Sequence, residues 1–185
     1  MLKDKIQNPL IRNLVEWLLA ILVAVFLFLI IRTFLFRMAN VDGLSMEPTL
    51  KHRDLVILSS VTYIFSNPKP GDIVAFPYKE DPSEHYIKRV IGVPGDVINL
   101  VDSKFTVNGA PLDDAFSGSP IIYLGDIMFP ITVEDGHYFV LGDNRNGSKD
   151  SRFAVIGNTS KDRIMGKAIA RVWPFNKMKI LRKDS

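Results

Sequence analysis

The chain has 185 residues, a formal net charge of +3 and no cysteine, which excludes disulfides, thiolate metal sites and a cysteine nucleophile. Its 23 Lys and Arg residues form no cluster of five or more, so nucleic acid is not an expected partner. The three histidines, His52, His85 and His137, lack the spacing of a metal site, and neither a metal nor an organic cofactor is expected.

Residues 1–13 carry Lys3, Lys5 and Arg12 and are expected to form a cytoplasmic tail. Residues 14–31 are apolar except for Glu16. As a helix they span about 27 Å, close to the hydrocarbon thickness of a bilayer. Continuation to residue 36 would carry the helix to the far interface, with Arg32 snorkelling. A cleavable signal has a shorter apolar region and a small-x-small site; here Phe36-Arg37-Met38-Ala39-Asn40 follows, in which only Ala39 is small. A segment apolar all round fits a permanent anchor over residues 14–36 better than the buried helix of a soluble domain. Its orientation is weakly marked. Lys3, Lys5 and Arg12 precede it and Arg32 and Arg37 follow it, a small bias toward a cytoplasmic N-terminus. Trp17 falls where interfacial aromatics sit.

Residues 37–185 are long enough for one domain with its own core. The segment Ser45-Met46-Glu47-Pro48-Thr49-Leu50 comes first. Short runs of β-branched and aromatic residues follow at 55–58, 72–76, 86–93, 96–101, 137–141, 167–172 and 178–181, and read as strands. Turn residues separate them, at Asn67-Pro68-Lys69-Pro70-Gly71 and Pro94-Gly95-Asp96, and Phe105-Thr106-Val107 runs into Asn108-Gly109 as a type I′ hairpin. Residues 102–135 mix Gly, Ser, Pro and Asp with short apolar pieces and read as a small irregular lobe. The expected fold class is mostly β: an antiparallel, barrel-like or sandwich catalytic domain behind one N-terminal transmembrane helix.

A serine hydroxyl needs a base to become a nucleophile. Each histidine lies in a polar or glycine-flanked loop and reads as a surface residue. A lysine can replace histidine if burial lowers its pKa from the ordinary value near 10.4. Lys88, in Tyr86-Ile87-Lys88-Arg89-Val90-Ile91-Gly92, shares a strand face with Tyr86 and Val90. That environment suits desolvation, but from strand pattern alone a snorkelling surface lysine is the better reading.

Taken together, the segments resemble the type I signal peptidases, membrane-anchored serine/lysine proteases that remove signal peptides. The resemblance covers most of the chain and runs in the family's order. After the apolar helix come Ser45-Met46-Glu47-Pro48-Thr49-Leu50 and Gly71-Asp72-Ile73-Val74-Ala75-Phe76. Then come Tyr86-Ile87-Lys88-Arg89-Val90-Ile91-Gly92-Val93-Pro94-Gly95-Asp96, and Gly142-Asp143-Asn144-Arg145 with Ser148, Asp150, Ser151 and Arg152. The resemblance implies Ser45 as nucleophile, Lys88 as general base and Ser148 as the group that hydrogen-bonds and orients the Lys88 amine. It implies Asp150 and Arg152 as a structural ion pair; were they exposed, the pair would be worth under about 1 kcal/mol. The Ser45 N–H would serve the oxyanion hole. Some family members have a second donor, a serine, where this chain has Gly43, and the Gly43 backbone N–H is the expected substitute. Asn146-Gly147 departs from the commoner Asp-Asn or Asn-Asp, a change expected to alter the local turn and not the chemistry. Val41, Met46, Leu50 and Ile87 are expected to line shallow pockets for small residues at positions −1 and −3 of the substrate, which would lie extended along a strand edge.

The implied partners are signal peptides of preproteins and the lipid bilayer, with the chain acting as a monomer. The implied location is a bacterial plasma membrane, single-pass, with the catalytic domain on the extracytoplasmic face. A self-cleaving repressor-type serine/lysine protease would not carry so apolar an N-terminal helix. The endoplasmic-reticulum branch has histidine where Lys88 stands; organelle-type processing peptidases are the nearer rival. A membrane-tethered β-domain without catalysis would account for the anchor and the strands, but not for Ser45, Lys88 and Ser148 together.

Overall fold

The computed structural model describes residues 9–30, 35–113, 116 and 120–182. Lys3 and Lys5 of the expected tail, Arg32 of the expected anchor and part of the 102–135 segment lie outside them.

Helix α1 spans Pro9–Ile30. Among the described residues none of the helix is buried: the span Pro9–Leu29 has a mean hydropathy of 2.1 and is 0% buried. Its 22 residues reach about 33 Å. A soluble-core helix would hide one face, so that alternative fails, and hydrocarbon is the medium such a surface fits.

The remainder is antiparallel β. In chain order the strands are β1 Phe36–Asn40, β2 Leu55–Ser59, β3 Ile73–Pro77, β4 His85–Gly92, β5 Val97–Val101, β6 Lys104–Val107, β7 Ala110–Pro111, β8 Ile131–Thr132, β9 His137–Leu141, β10 Thr159–Ser160, β11 Gly166–Trp173 and β12 Lys179–Ile180. The large sheet has the order β1-β2-β11-β3-β4-β9-β10, with β12 also on β11; the small sheet is β7-β6-β5-β8. The expected mostly β, antiparallel architecture with one N-terminal helix is what the chain forms. The large sheet does not close on itself, since β1 and β10 each have one neighbour along it. Phe36 opens β1, in register with Ser59 of β2, where the sequence had extended the anchor through it. Cross-strand pairing, which is non-local, outweighs the local apolar run. The Asn108-Gly109 turn has φ of +53° and +79°, the left-handed pair a type I′ hairpin needs.

The core has three clusters that meet around β3 and β4. Ile87 packs with Met46 and Leu50 in one, Val90 with Val74 and Tyr138 in another, and Ile91 with Phe139 in the third. Both faces of β4 are therefore covered, and every residue from 87 to 92 is buried. Any charged side chain in that stretch leaves water on folding and needs a partner or loses its charge.

Candidate active site

After β1 the chain turns at Gly43, whose φ of +88° is accessible to glycine without a Cβ penalty. Backbone bonds from the Glu47 N–H to the Leu44 carbonyl (3.1 Å) and from the Leu50 N–H to the Met46 carbonyl (2.8 Å) close the following turn. Met46 and Leu50 plug it into the core, burial worth about 1.5–3 kcal/mol for each side chain. Ser45 is left half-buried on the turn. From the neighbouring loop, the Asn144 N–H donates to the Ser45 carbonyl (3.0 Å) and its side-chain amide to the Leu44 carbonyl (3.2 Å). Among the described residues the Ser45 N–H has no hydrogen-bond partner.

Lys88 Nζ lies 2.8 Å from Ser45 Oγ and donates to the Ile87 carbonyl at 3.1 Å. The Tyr86 ring, on the same strand face, is centred 5.1 Å from Nζ. Lys88 is 1% exposed, which disposes of the snorkelling alternative. Burial pulls its pKa down to about 8, against the opposing pull of the Asp150 and Asp143 carboxylates. The pair is thus a hydroxyl beside an amine that gives up its proton far more readily than an ordinary lysine.

Ser148 is buried next to this pair but does not bond to it. Among the described residues its Oγ has no hydrogen-bond partner, so the expected Ser148–Lys88 hydrogen bond is not formed, the amine being directed to Ser45 and Ile87. Gly142 explains the proximity: a Cβ there would collide with the Ser148 side chain and come within 2.5 Å of the Ser45 carbonyl oxygen. The two serines flank one bare stretch of backbone.

Asp150 and Arg152 are fully buried, with 2.8 and 2.9 Å contacts between the guanidinium and both carboxylate oxygens. Arg152 also donates to the carbonyls of Tyr123, Arg145 and Ser148, and Asp150 accepts from the Gly142 N–H. The pair braces the 142–152 loop from inside, and the exposed-pair alternative is excluded. A second buried pair was not anticipated from sequence. Arg89 meets Asp143 through two 2.8 Å bonds, donates to the Gly71 carbonyl and lies over the Phe116 ring at 5.0 Å. The signal was present: an arginine in the middle of an apolar strand needs a carboxylate, and alternation puts it on the face opposite Lys88.

Two expectations are corrected. The Gly43 N–H donates to His52 Nδ1 at 3.3 Å and is not a free oxyanion donor, because the 51–53 turn folds back onto it. Val41, Met46, Leu50 and Ile87 are 4%, 1%, 0% and 7% exposed and belong to one core cluster. They support the site from beneath, and none of them lines the groove of about 690 Å³ bounded by Met38 and Asn40 of β1, by Asp42 and Gly43, by Glu84 and by Tyr86 of β4; neither Ser45 nor Lys88 is among the residues that line that groove. None of the three histidines contacts Ser45 among the described residues.

With this geometry in hand, comparison with known proteins is decisive about kinship. The family described as "Signal peptidase, peptidase S26" matches residues 14–173. Signal peptidase I S of Bacillus subtilis (strain 168) is 35% identical over 176 residues, covering 91% of this chain and 94% of that protein. Signal peptidase I of Leptolyngbya laminosa is 37% identical over 172 residues, covering 89% and 82%. Signal peptidase IB of Staphylococcus aureus (strain Mu50 / ATCC 700699) is 34% identical over 183 residues, covering 91% and 94%. Among solved structures, a signal peptidase I from Enterococcus faecalis V583 aligns with a TM-score of 0.44 at 27% identity, over 55% of this chain and 97% of that one. The chain belongs to the signal peptidase family, peptidase S26.

Proposed function

We propose that this chain removes signal peptides from preproteins with Ser45 as nucleophile and Lys88 as general base. As a member of its family it is a serine endopeptidase acting on signal peptides. The observation that carries the catalytic assignment is the 2.8 Å contact between Ser45 Oγ and a Lys88 amine whose pKa is lowered to about 8 by burial. Neutral Lys88 takes the hydroxyl proton as Oγ attacks the scissile carbonyl. The resulting ammonium then protonates the departing amine, and the same amine activates the water that releases the acyl group from Ser45. The unpartnered Ser45 N–H is a donor for the oxyanion. Ser148 Oγ, buried and unpartnered on the other side of Gly142, is the group available to orient the Lys88 amine as it passes between Oγ and the leaving nitrogen. Asp150 and Arg152 hold that loop in place.

The substrate lies extended in the groove between two open strand edges. Among the described residues β1 pairs only with β2, and β4 pairs with β9 only from Arg89 onward, its other edge being held by β3, so the outer edge of β1 and the β9-side edge of the first half of β4 are open to a peptide backbone. Met38 and Tyr86 are among the residues that line the groove, and such walls admit small side chains by steric exclusion. The anchor α1 keeps the site at a bilayer, in a bacterial plasma membrane with the catalytic domain on the extracytoplasmic face. The bias of Lys3, Lys5 and Arg12 over Arg32 and Arg37 supports that orientation.

Cleavage of a preprotein in detergent tests this assignment. Ser45→Ala and Lys88→Ala, each folded, lose cleavage, and so does Lys88→Arg, because a guanidinium keeps its proton. Full activity in any one of them rejects the mechanism.

A further inference from the structure

His52 has no place in the mechanism above, yet it touches the turn that presents Ser45. Its Nδ1 accepts the Gly43 N–H at 3.3 Å and stands 3.1 Å from Asp42 Oδ1. The contact is built from both sides: the Val41 N–H donates to the Asp54 carbonyl and the Arg53 N–H to the Val41 carbonyl, which lays the 51–53 turn against the chain leading to the nucleophile. Asn144 fixes residues 44 and 45 from the other flank. The Gly43 peptide has a left-handed φ and no atoms within 4 Å of the site a Cβ would fill, and its N–H is held by His52.

One ring nitrogen cannot satisfy both neighbours. A neutral imidazole with its lone pair on Nδ1 accepts from Gly43 but faces the Asp42 oxygen without a proton between them. A protonated ring donates Nδ1–H to Asp42 and can no longer accept from Gly43. The ring is half exposed, so protons reach it. The charged groups around it are Asp42 and, along its own turn, Lys51, Arg53 and Asp54, whose carboxylate is already paired with Arg171 at 3.0 Å. Glu84 and His85 line the groove that Asp42 and Gly43 also line.

We infer that His52 is a positioning residue for cleavage: its imidazole accepts the Gly43 N–H and holds, with it, the turn carrying Ser45 and one wall of the substrate groove. This rests on Ser45 being the nucleophile.

The test is kcat/KM against pH, from about 5 to 9.5, for the full chain in detergent with a preprotein bearing alanine at −1 and −3. His52→Asn places an amide oxygen near the position of Nδ1, an acceptor that does not titrate; His52→Ala removes the acceptor. At high pH His52→Asn matches the parent, and His52→Ala is lower by roughly threefold to tenfold, the scale of one hydrogen bond. As pH falls, all three lose activity through Lys88. A His52→Asn enzyme no more active than His52→Ala, or a His52→Ala enzyme as active as the parent at pH 9, overturns the inference. Ser45→Ala, assayed alongside, separates the two levels: its inactivity with unchanged His52 variants sinks only the role of His52, whereas its activity sinks the nucleophile assignment.

Discussion

Lys88 Nζ stands 2.8 Å from Ser45 Oγ although 43 residues separate them in the chain. The contact joins the middle of β4, covered on both faces, to a turn pinned by Met46 and Leu50. Two carboxylates, Asp150 and Asp143, favour the ammonium, yet burial outweighs them and leaves the pKa at about 8. The site thus holds a lysine that is partly neutral near pH 8, which no exposed lysine is.

That amine makes folding cost more where it is charged. A lysine whose pKa is about 8 folded and near 10.4 unfolded binds fewer protons in the native state between those values, so stability rises with pH across that window. Below about 8 the native state carries the full penalty. Lys88→Met is therefore expected to be inactive but more stable at pH 7, by at most about 3 kcal/mol, with the gain shrinking toward pH 10.4. Urea unfolding at pH 7 and pH 10 measures the difference. A Lys88→Met protein less stable than the parent at pH 7 contradicts it.

Ser148 offers a cleaner separation of stability from activity. Its hydroxyl is buried without a partner, so Ser148→Ala removes an unpaired polar group and is expected to leave stability unchanged or raise it by about 1 kcal/mol. If the hydroxyl orients the Lys88 amine during turnover, kcat falls tenfold or more while KM changes little. A melting curve and steady-state kinetics on the same sample decide the matter.

Asp150 acts on the site both mechanically and electrostatically. Asp150→Ala strands the Arg152 guanidinium, which is fully buried, and is expected to cost about 3–5 kcal/mol. Asp150→Asn keeps the shape and removes the charge that favours the Lys88 ammonium. The acid limb of its pH profile is expected to shift below 8, whatever the loss in overall rate. An upward shift would contradict the assigned cause.

The groove, and not the core beneath it, is expected to set which residues are admitted. Met38→Ala enlarges an exposed groove wall at little cost in stability and is expected to relax the exclusion of larger residues near the cut. Leu50→Ala opens a cavity in the core and is expected to lose about 2–5 kcal/mol without broadening selectivity. Competition between preproteins with alanine and with leucine at −1 or −3 reads the first effect, and urea unfolding the second.

Much of this was legible because its signals are local. An apolar run long enough for a membrane, β-branched runs between Pro and Gly turns, and the Asn108-Gly109 hairpin each declare themselves within a few residues. Ser45 and Lys88 were legible through their motifs. β1 was not: Phe-Arg-Met-Ala-Asn has little strand character, and its register with β2 is fixed across the turn that carries Ser45. Val41, Met46, Leu50 and Ile87 are ambiguous in sequence, because apolar residues near a nucleophile look alike whether they line a cleft or fill the core below it. The grip of Asn144 on the Ser45 turn, the orphaned Ser148 hydroxyl and the Gly43–His52 bond depend on loops meeting in space, which no spacing rule reports.

The protonation of Lys88 itself tests the account most directly. With lysines labelled at 13Cε and Lys88 assigned through Lys88→Met, the pH dependence of its Cε resonance in detergent micelles gives the midpoint without substrate or turnover. The account predicts a midpoint near 8, coinciding with the principal acid limb of kcat/KM. A midpoint near the ordinary 10.4, in an enzyme fully active at pH 8, would contradict it.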